Sequence, residues 1–327
     1  MKMLEFKTEP WAELITRQEY NSLLSQKKPI NVYIGMEPSF SYFHIGHCVA
    51  LLPLMYLKSK FPSQVRPIML LADKHAILDG KGTEEEIEGY TQDLKREFKK
   101  YFSKVLPDTK IVIGSDFQNT EEYWNDVFLS APKVSEVDLR KSAAETVDEK
   151  IMKSGAPPLY TLMQAIDIKH LKADIAVGGP DQRPTHLRIA RPLLPQINYK
   201  SPVCIHTDML LSLESKFEKN IKPPKMSKSR PLGAIFLGAD EFDVMGKIDR
   251  TFCPPGKLEP NPIKELYKHL FAPFYSDIVI DRPPQFGEPI MGSPQEIINL
   301  YEEGKIHSQD FKESAKNCLI EVLHYFR

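Results

Sequence analysis

The stretch INVYIGMEPSFSYFHIGHCVALLPLMYLKSKF, residues 30–61, decides the fold class of this chain. Residues 30–36 are mostly β-branched or apolar, which is typical of a buried strand, and from His47 onward apolar side chains recur at helical spacing. The residues between them include proline, serine and glycine and are predicted to form a loop. A strand, a loop and a helix in this order predict one unit of an α/β fold.

The same alternation continues along the chain. Further apolar runs predict strands at 65–73, 110–116, 173–179 and 203–207. Thr83 and Glu86 form the pattern of a capping box, which predicts the start of a helix. Because strands alternate with helices, we expect a Rossmann-type, mostly parallel sheet with helices on both faces.

After about residue 240 the pattern becomes mainly helical. Apolar spacing predicts helices near 240–250, 261–271, 294–303 and 307–326. We therefore expect two domains. The first covers 1–240 and includes a helical insertion at about 130–157, and the second, mainly helical domain covers 241–327.

Composition and charge exclude several classes of protein. The chain has 327 residues, 42% of them hydrophobic, a formal net charge of −1 and no apolar run near the roughly 20 residues of a membrane span. Its first residues do not resemble a secretory signal, so we expect a cytoplasmic protein. The 4 cysteines are far apart and lack metal-ligand spacing, which predicts reduced thiols and no metal site. A nucleic-acid partner would need a local basic patch.

The motif FHIGH, residues 43–47, is predicted to lie where the first strand's loop meets a helix. A helix N-terminus attracts phosphate through its unpaired N–H groups and its dipole. His44 and His47 would add two donors on one side, and Gly46 would let a flat base approach the backbone. The alternative is a pair of surface histidines at a helix cap.

The motif KMSKS, residues 225–229, lies in a polar loop rich in lysine and proline. Lys225 and Lys228 could carry positive charge onto a polyphosphate as charge develops in a transition state. The alternative is an ordinary solvated basic loop.

A third motif, YTLMQAID, places Tyr160, Gln164 and Asp167 four and three residues apart, hence on one stripe of a helix. A carboxylate on a buried stripe is costly without a partner, so the motif favours a cleft that a ligand fills. The alternative is an amphipathic surface helix.

Together, HIGH and KMSKS resemble the signature pair of class I aminoacyl-tRNA synthetases, and YTLMQAID with VYIGMEPS is similar to the archaeal and eukaryotic-cytosolic branch of the tyrosyl-tRNA synthetases. The resemblance implies activation of L-tyrosine with ATP, Mg²⁺ accompanying ATP, and transfer of tyrosine to tRNA(Tyr) by a homodimer with no membrane association. It makes 1–240 the catalytic domain and 241–327 the anticodon-recognition domain.

The resemblance also implies roles for individual residues. The catalytic residues are His44, His47, Lys225 and Lys228. Tyrosine is bound by Tyr33, His75, Tyr160, Gln164, Asp167 and Gln182. ATP is bound by Gly35, Gly46, Asp181, Met226, Ser227 and Ser229. The tRNA is bound by Arg183, Phe286, His307 and Asp310.

Three alternatives remain open. Tryptophanyl-tRNA synthetases share the fold and both signatures, and the longer loop before His44 favours them, but the pair Tyr33 and Asp167 suits a hydroxyl better than an indole, which only donates. A tRNA-binding paralogue without activity would have the same fold. A nucleotidyltransferase of the same superfamily would lack the anticodon-type C-terminal domain.

Overall fold

The structure, a computed structural model, describes residues 4–216, 223–227 and 230–327. It forms two compact units. The sheet unit consists of Trp11–Ser41 and Ala50–Thr207, and the C-terminal unit consists of the described residues of Met1–Pro10, Tyr42–Val49 and Asp208–Arg327. The domain boundary predicted at residue 240 stays a prediction.

The sheet unit contains a six-stranded sheet of order β1-β6-β5-β2-β3-β4. All neighbouring strands are parallel except β1, which runs antiparallel to β6. The strands are β1 (Glu13–Ile15), β2 (Ile30–Met36), β3 (Val65–Leu71), β4 (Lys110–Ile113), β5 (Ile175–Gly178) and β6 (Val203–His206).

Helices connect these strands. They are α1 (Arg17–Ser25), α2 (Ile45–Lys60), α3 (Asp73–Leu78), α4 (Glu84–Phe102), α5 (Ser115–Gln118), α6 (Glu121–Ser130), α7 (Glu136–Ala143), α8 (Ala156–His170) and α9 (Arg191–Leu193). The predicted capping box is present at the start of α4, where Thr83 and Glu86 bond each other's backbone N–H groups. The predicted insertion at 130–157 holds α7 and two 3₁₀ turns, Ala131–Lys133 and Glu149–Ile151.

Burial explains why these strands were predictable. Residues of β3, β5 and β6 are almost all buried, as expected for parallel strands covered on both faces. The core below one face joins residues of β2, β3 and β5 to α8, among them Leu70, Ile166 and Ala176. The Rossmann-type parallel sheet is therefore confirmed.

The C-terminal unit is mainly helical, as predicted, and its α-helices are α10 (Glu241–Arg250), α11 (Pro262–Leu266), which continues as the π-helix Tyr267–Phe271, α12 (Pro294–Glu302) and α13 (Ser308–Phe326). It also contains an antiparallel pair that the sequence did not predict, β7 (Ile278–Ile280) with β8 (Ile290–Gly292). Across the described ranges, no helix combines the length and the apolar character needed to cross a membrane.

Candidate active site

The polar stripe of α8 lies inside the sheet unit, not on its surface. Tyr160 and Asp167 are buried, and Gln164 between them is partly buried. Leu162, Met163 and Ile166 are buried in the core, and the apolar contacts made there fix the rotation of the helix. The alternative of an amphipathic surface helix is therefore wrong.

The carboxylate of Asp167 is fully buried, and its two oxygens have different surroundings. Oδ1 accepts hydrogen bonds from Nε2 of Gln118 at 2.8 Å and from the hydroxyl of Tyr123 at 2.7 Å. Oδ2 has no hydrogen-bond partner among the described residues and lies 3.6 Å from Nε2 of His75. Burial raises the pKa of Asp167 to about 7, although the two donors act in the opposite direction.

His75, on α3, lies beside the unpaired oxygen of this carboxylate. Burial lowers the pKa of His75 to about 4, against a smaller opposing effect of the Tyr160 backbone, so the ring is neutral at pH 7. Within the described ranges neither ring nitrogen has a partner in hydrogen-bond geometry. The ring edge packs against Tyr160, with ring centroids 4.8 Å apart. A neutral imidazole with no partner can still donate to or accept from a ligand.

Tyr33, on β2, is buried, and burial together with the charge of Asp167 raises its pKa, so the hydroxyl remains a donor. Its ring folds over Gly35 on the same face of the strand. A Cβ on Gly35 would stand 2.9 Å from the Tyr33 hydroxyl oxygen, so glycine is required for this ring position. Gly35 was predicted to bind ATP, and the structure gives it this role of making room. We call Tyr33, His75, Gln118, Tyr123 and Asp167 the Asp167 cluster.

A second set of polar side chains lies at the N-terminal end of the α8 stripe. Nε2 of Gln164 donates to Oε1 of Gln182 at 2.7 Å, while Oε1 of Gln164 is buried and has no partner in the described part of the chain. The Tyr160 hydroxyl donates to the carboxylate of Glu37. Acceptor oxygens and a carboxylate in one place suit an ammonium group. Asp181 follows in the turn after β5, where its carbonyl accepts from the Thr146 hydroxyl at 3.2 Å.

The FHIGH motif belongs to the C-terminal unit and opens α2. Nδ1 of His44 accepts from the Gly46 N–H, and Nδ1 of His47 accepts from the His44 N–H, both at 3.1 Å. A neutral imidazole that accepts at Nδ1 carries its proton at Nε2, so each ring keeps a donor on its far side. A Cβ on Gly46 would stand 2.9 Å from the His44 ring, which accounts for the glycine.

The C-terminal unit also brings FHIGH to the KMSKS loop. Backbone hydrogen bonds join Ile45 to Ile235 and Leu237 to Phe43, at 2.9 and 3.0 Å, just after the loop. A Cβ on Gly46 would lie 3.8 Å from Cβ of Met226, whose N–H donates to Leu210.

The other described residues of the KMSKS motif, Lys225 and Ser227, are at least partly exposed. Lys225 is exposed and forms a β-bridge with Leu211, and Ser227 is partly exposed. Lys228 and Ser229, both predicted site residues, lie outside the described residues.

The predicted tRNA-binding residues are dispersed. Arg183, in the sheet unit, forms a two-pronged ion pair with Glu13 at 2.7 and 2.9 Å. In the C-terminal unit His307 caps α13 by accepting from the Gln309 N–H at 3.2 Å, and Asp310 lies in the first turn of that helix. Phe286 ends the 3₁₀ turn Pro284–Phe286, and its side chain lies outside what is described.

Sequence reasoning missed Gln118, Tyr123 and Glu37. A signal existed for Gln118, because it follows the carboxyl end of β4, where ligands of an open α/β sheet collect. Glu37 likewise follows β2. Tyr123 had no such signal, since it reaches Asp167 only through the packing of α6 against α8.

Comparisons with known proteins agree with this geometry. The family described as tRNA synthetases class I (W and Y) matches residues 25–324. A tyrosine–tRNA ligase of Methanococcoides burtonii is 36% identical over 324 residues, covering 96% of this chain and 95% of that protein.

Solved structures are similar over the same extent. A tyrosyl-tRNA synthetase of Archaeoglobus fulgidus, complexed with L-tyrosine, has a TM-score of 0.85 and 33% identity and covers 98% of this chain and 96% of that chain. The corresponding enzyme of Aeropyrum pernix has a TM-score of 0.80 and 28% identity, with coverage of 97% and 90%.

Proposed function

This chain belongs to the class I tRNA synthetases for tryptophan and tyrosine, and we propose that it activates L-tyrosine with ATP and transfers the tyrosyl group to tRNA(Tyr). Family membership alone leaves tryptophan as an alternative substrate. The choice of tyrosine therefore depends on the polar groups that meet the side chain of the bound amino acid.

The unpaired Oδ2 of Asp167 is the observation that carries this choice. Oδ1 is already engaged by two donors, so Oδ2 accepts a hydrogen bond from a phenol O–H, while the Tyr33 hydroxyl donates to the phenol oxygen. Phenylalanine would leave both groups unpaired, and tryptophan, which only donates, would leave Tyr33 without an acceptor. The α-ammonium of tyrosine binds Gln164 Oε1, with Tyr160 and Gln182 beside it.

The first step joins tyrosine to AMP. The tyrosine carboxylate attacks the α-phosphorus of ATP, forming tyrosyl adenylate as the bond to pyrophosphate breaks. The nucleophile arrives ionised, so the protein needs no general base, and its contribution is positioning and charge stabilisation. The Nε2–H groups of His44 and His47, with Lys225 and Lys228, donate to the phosphates, and Asp181 binds the ribose. In the second step a ribose hydroxyl at the tRNA 3′ end attacks the tyrosyl carbonyl, and AMP leaves.

Mg²⁺ enters with ATP. Within the described ranges no group of three or more His, Cys, Asp and Glu side chains could hold a metal ion. Bound to phosphate oxygens and water, the ion would neutralise part of the charge of the leaving pyrophosphate.

The homodimer is supported by apolar side chains on α6 and α7 of the sheet unit. Phe128, Leu129 and Val137 are 67, 63 and 58% exposed. A contiguous exposed apolar patch marks a protein interface, and these three side chains, close in sequence, are the candidates for one. We expect wild-type protein to sediment as a dimer and Phe128→Glu to shift it towards the monomer. The cytoplasmic location and the tRNA contacts of Phe286, His307 and Asp310 stay predictions.

The decisive experiment is amino-acid-dependent exchange of pyrophosphate into ATP, run with tyrosine, phenylalanine and tryptophan. We expect exchange with tyrosine alone, lost in Asp167→Ala. Asp174→Ala is the matched control, because it removes another buried carboxylate, which lies just before β5 and accepts from the Asn31 N–H rather than from the Asp167 cluster. Exchange with tryptophan would move the protein to the other branch of the family. Binding of tRNA without exchange for any amino acid would identify an inactive paralogue.

A further inference from the structure

Four side chains form a hydrogen-bonded chain from the edge strand β1 to the turn after β5. Glu13 receives two hydrogen bonds from Arg183, at 2.7 and 2.9 Å. Its Oε2 also lies 2.8 Å from Nδ1 of His206, and Nε2 of His206 lies 3.0 Å from Nδ1 of His186. Glu13, His206 and His186 have no part in the function proposed above.

The protons in this series of hydrogen bonds can be located by starting from Glu13. The hydrogen bonds from Arg183 lower the pKa of Glu13 against its partial burial, so the carboxylate is ionised and only accepts. Nδ1 of His206 must therefore carry a proton. Burial lowers the pKa of His206, the Arg183 charge adds to this, and Glu13 and Asp181 oppose it. The ring is neutral at pH 7, so its Nε2 has a lone pair.

That lone pair determines the tautomer of the His186 ring. His186 has to donate from Nδ1, because Nε2 of His206 can only accept. Burial lowers the pKa of His186 to about 3, so this ring is also neutral. Both histidines hold their proton at Nδ1, and the carboxylate of Glu13 at the far end dictates both tautomers.

The hydrogen-bonded series ends near Gln182, the residue that bonds to the α8 stripe. A Cβ on Gly178 would stand 2.7 Å from Cβ of Gln182 and 3.3 Å from Cε1 of His186, so these two side chains share the space above the glycine. Gln182 in turn accepts from Gln164 at 2.7 Å. The His186 ring and the Gln182 side chain therefore lie on the same side of Gly178, and a shift of the ring would change the space open to Gln182.

We propose that Glu13, His206 and His186 are positioning residues that hold Gln182 for the α-ammonium of the amino acid substrate. This inference rests on the proposed function. Edge strand β1 thereby contributes to substrate binding through side chains that do not touch the substrate.

The test compares Glu13→Ala with Glu19→Ala. Glu19 is a matched control, because it forms the same two-pronged ion pair with Arg191, at 3.0 and 2.9 Å, and contacts neither histidine in the described hydrogen bonds. Without Glu13, Nδ1 of His206 loses its acceptor, so we expect both rings to move their protons to Nε2. In pyrophosphate exchange we expect KM for tyrosine to rise roughly tenfold, with kcat little changed, in Glu13→Ala alone. Glu13→Gln keeps an acceptor oxygen and should restore both the Nδ1–H tautomers and the wild-type KM for tyrosine.

The tautomers are measured by ¹⁵N NMR of histidine-labelled protein, with resonances assigned from His186→Asn and His206→Asn. Equal KM values for the two alanine variants, or rings that keep Nδ1–H without Glu13, would overturn the proposal. If wild-type protein exchanged pyrophosphate with no amino acid, the proposed function would fail. The NMR result would still report separately on the hydrogen-bonded chain.

Discussion

The Asp167 cluster and the FHIGH segment both present polar groups, but they fix them in opposite ways. In the cluster, side chains bond to side chains, and burial leaves Oδ2 of Asp167 and the His75 ring without partners among the described residues. In FHIGH, each histidine ring bonds to backbone of its own segment. Buried groups without partners penalise a wrong ligand, whereas rings bonded to backbone through Nδ1 hold their Nε2–H groups in fixed directions. The first arrangement suits selection of a substrate, and the second suits stabilisation of a transition state.

In both regions a glycine two residues after an aromatic side chain makes room for that side chain. Tyr33 folds over Gly35 and His44 folds over Gly46, and in each case a Cβ on the glycine would stand 2.9 Å from the side chain two residues earlier, at the hydroxyl oxygen of Tyr33 and at the ring of His44. A glycine makes room for the ring in both regions. The two regions therefore differ in the hydrogen-bond partners of their side chains.

The largest effect is expected from Asp167→Asn. The donors Gln118 and Tyr123 would keep the amide oxygen, so the amide NH₂ would face the substrate hydroxyl where a carboxylate oxygen should accept. We expect kcat/KM for tyrosine to fall about 10³-fold, about 4 kcal/mol, with most of the loss in KM. Pyrophosphate exchange measures it. A loss confined to kcat would contradict a role for Asp167 in selection.

His44→Asn should lower kcat about 10²-fold and leave KM for tyrosine nearly unchanged. Asparagine can still accept from the Gly46 N–H at the position of Nδ1 but has no donor at the position of Nε2. His44→Gln supplies that donor and is expected to retain more activity. Single-turnover formation of tyrosyl adenylate separates the two variants, and equal rates would show that the Nε2–H has no role.

Tyr123→Phe should raise KM for tyrosine about tenfold at pH 7, because it removes one of the two donors that hold Asp167 ionised. An ionised Asp167 accepts the phenol O–H more strongly than a protonated one, so in wild type KM should rise as pH falls through about 7, the pKa of that group. In the variant this rise should begin at higher pH. A profile that does not move would mean that Tyr123 only fills space, and Tyr101→Phe, at another buried tyrosine, is the control.

The smallest effect concerns stability. The pKa of Asp167 is raised in the folded protein, so the folded state binds more protons than the unfolded state between about pH 4 and 7, and stability is lost as pH rises through that window. Asp167→Asn removes this penalty. Its Tm should exceed that of wild type by about 5 °C at pH 8, with little difference at pH 4. Calorimetry at the two pH values checks this, and a constant difference would contradict the raised pKa.

Long, buried or strictly periodic elements were predictable from sequence. The apolar runs of β2, β3, β5 and β6 carry their own signal, as does the capping box of α4. The α8 stripe was predictable because helical geometry alone places Tyr160, Gln164 and Asp167 on one side.

Elements that depend on distant partners were not predictable. Strand β1 has only three residues, all partly buried, and its position is set by antiparallel pairing with β6, far away in sequence. The pair β7 and β8 is equally short. Tyr123 and Glu13 likewise act through contacts with residues from other elements, which no local pattern encodes. Such contacts follow from the completed packing of the sheet unit.

The two units are interleaved along the chain, and this limits how the protein can be recombined. Tyr42–Val49 packs with a unit whose other main part begins at Asp208, and FHIGH hydrogen-bonds there to Ile235 and Leu237. A chimera that exchanged only the C-terminal part with a relative would pair FHIGH with a different sequence around its hydrogen-bond partners Ile235 and Leu237. Functional chimeras should therefore need a second, matching exchange at 42–49, and in natural lineages the two signature motifs should be inherited as one set.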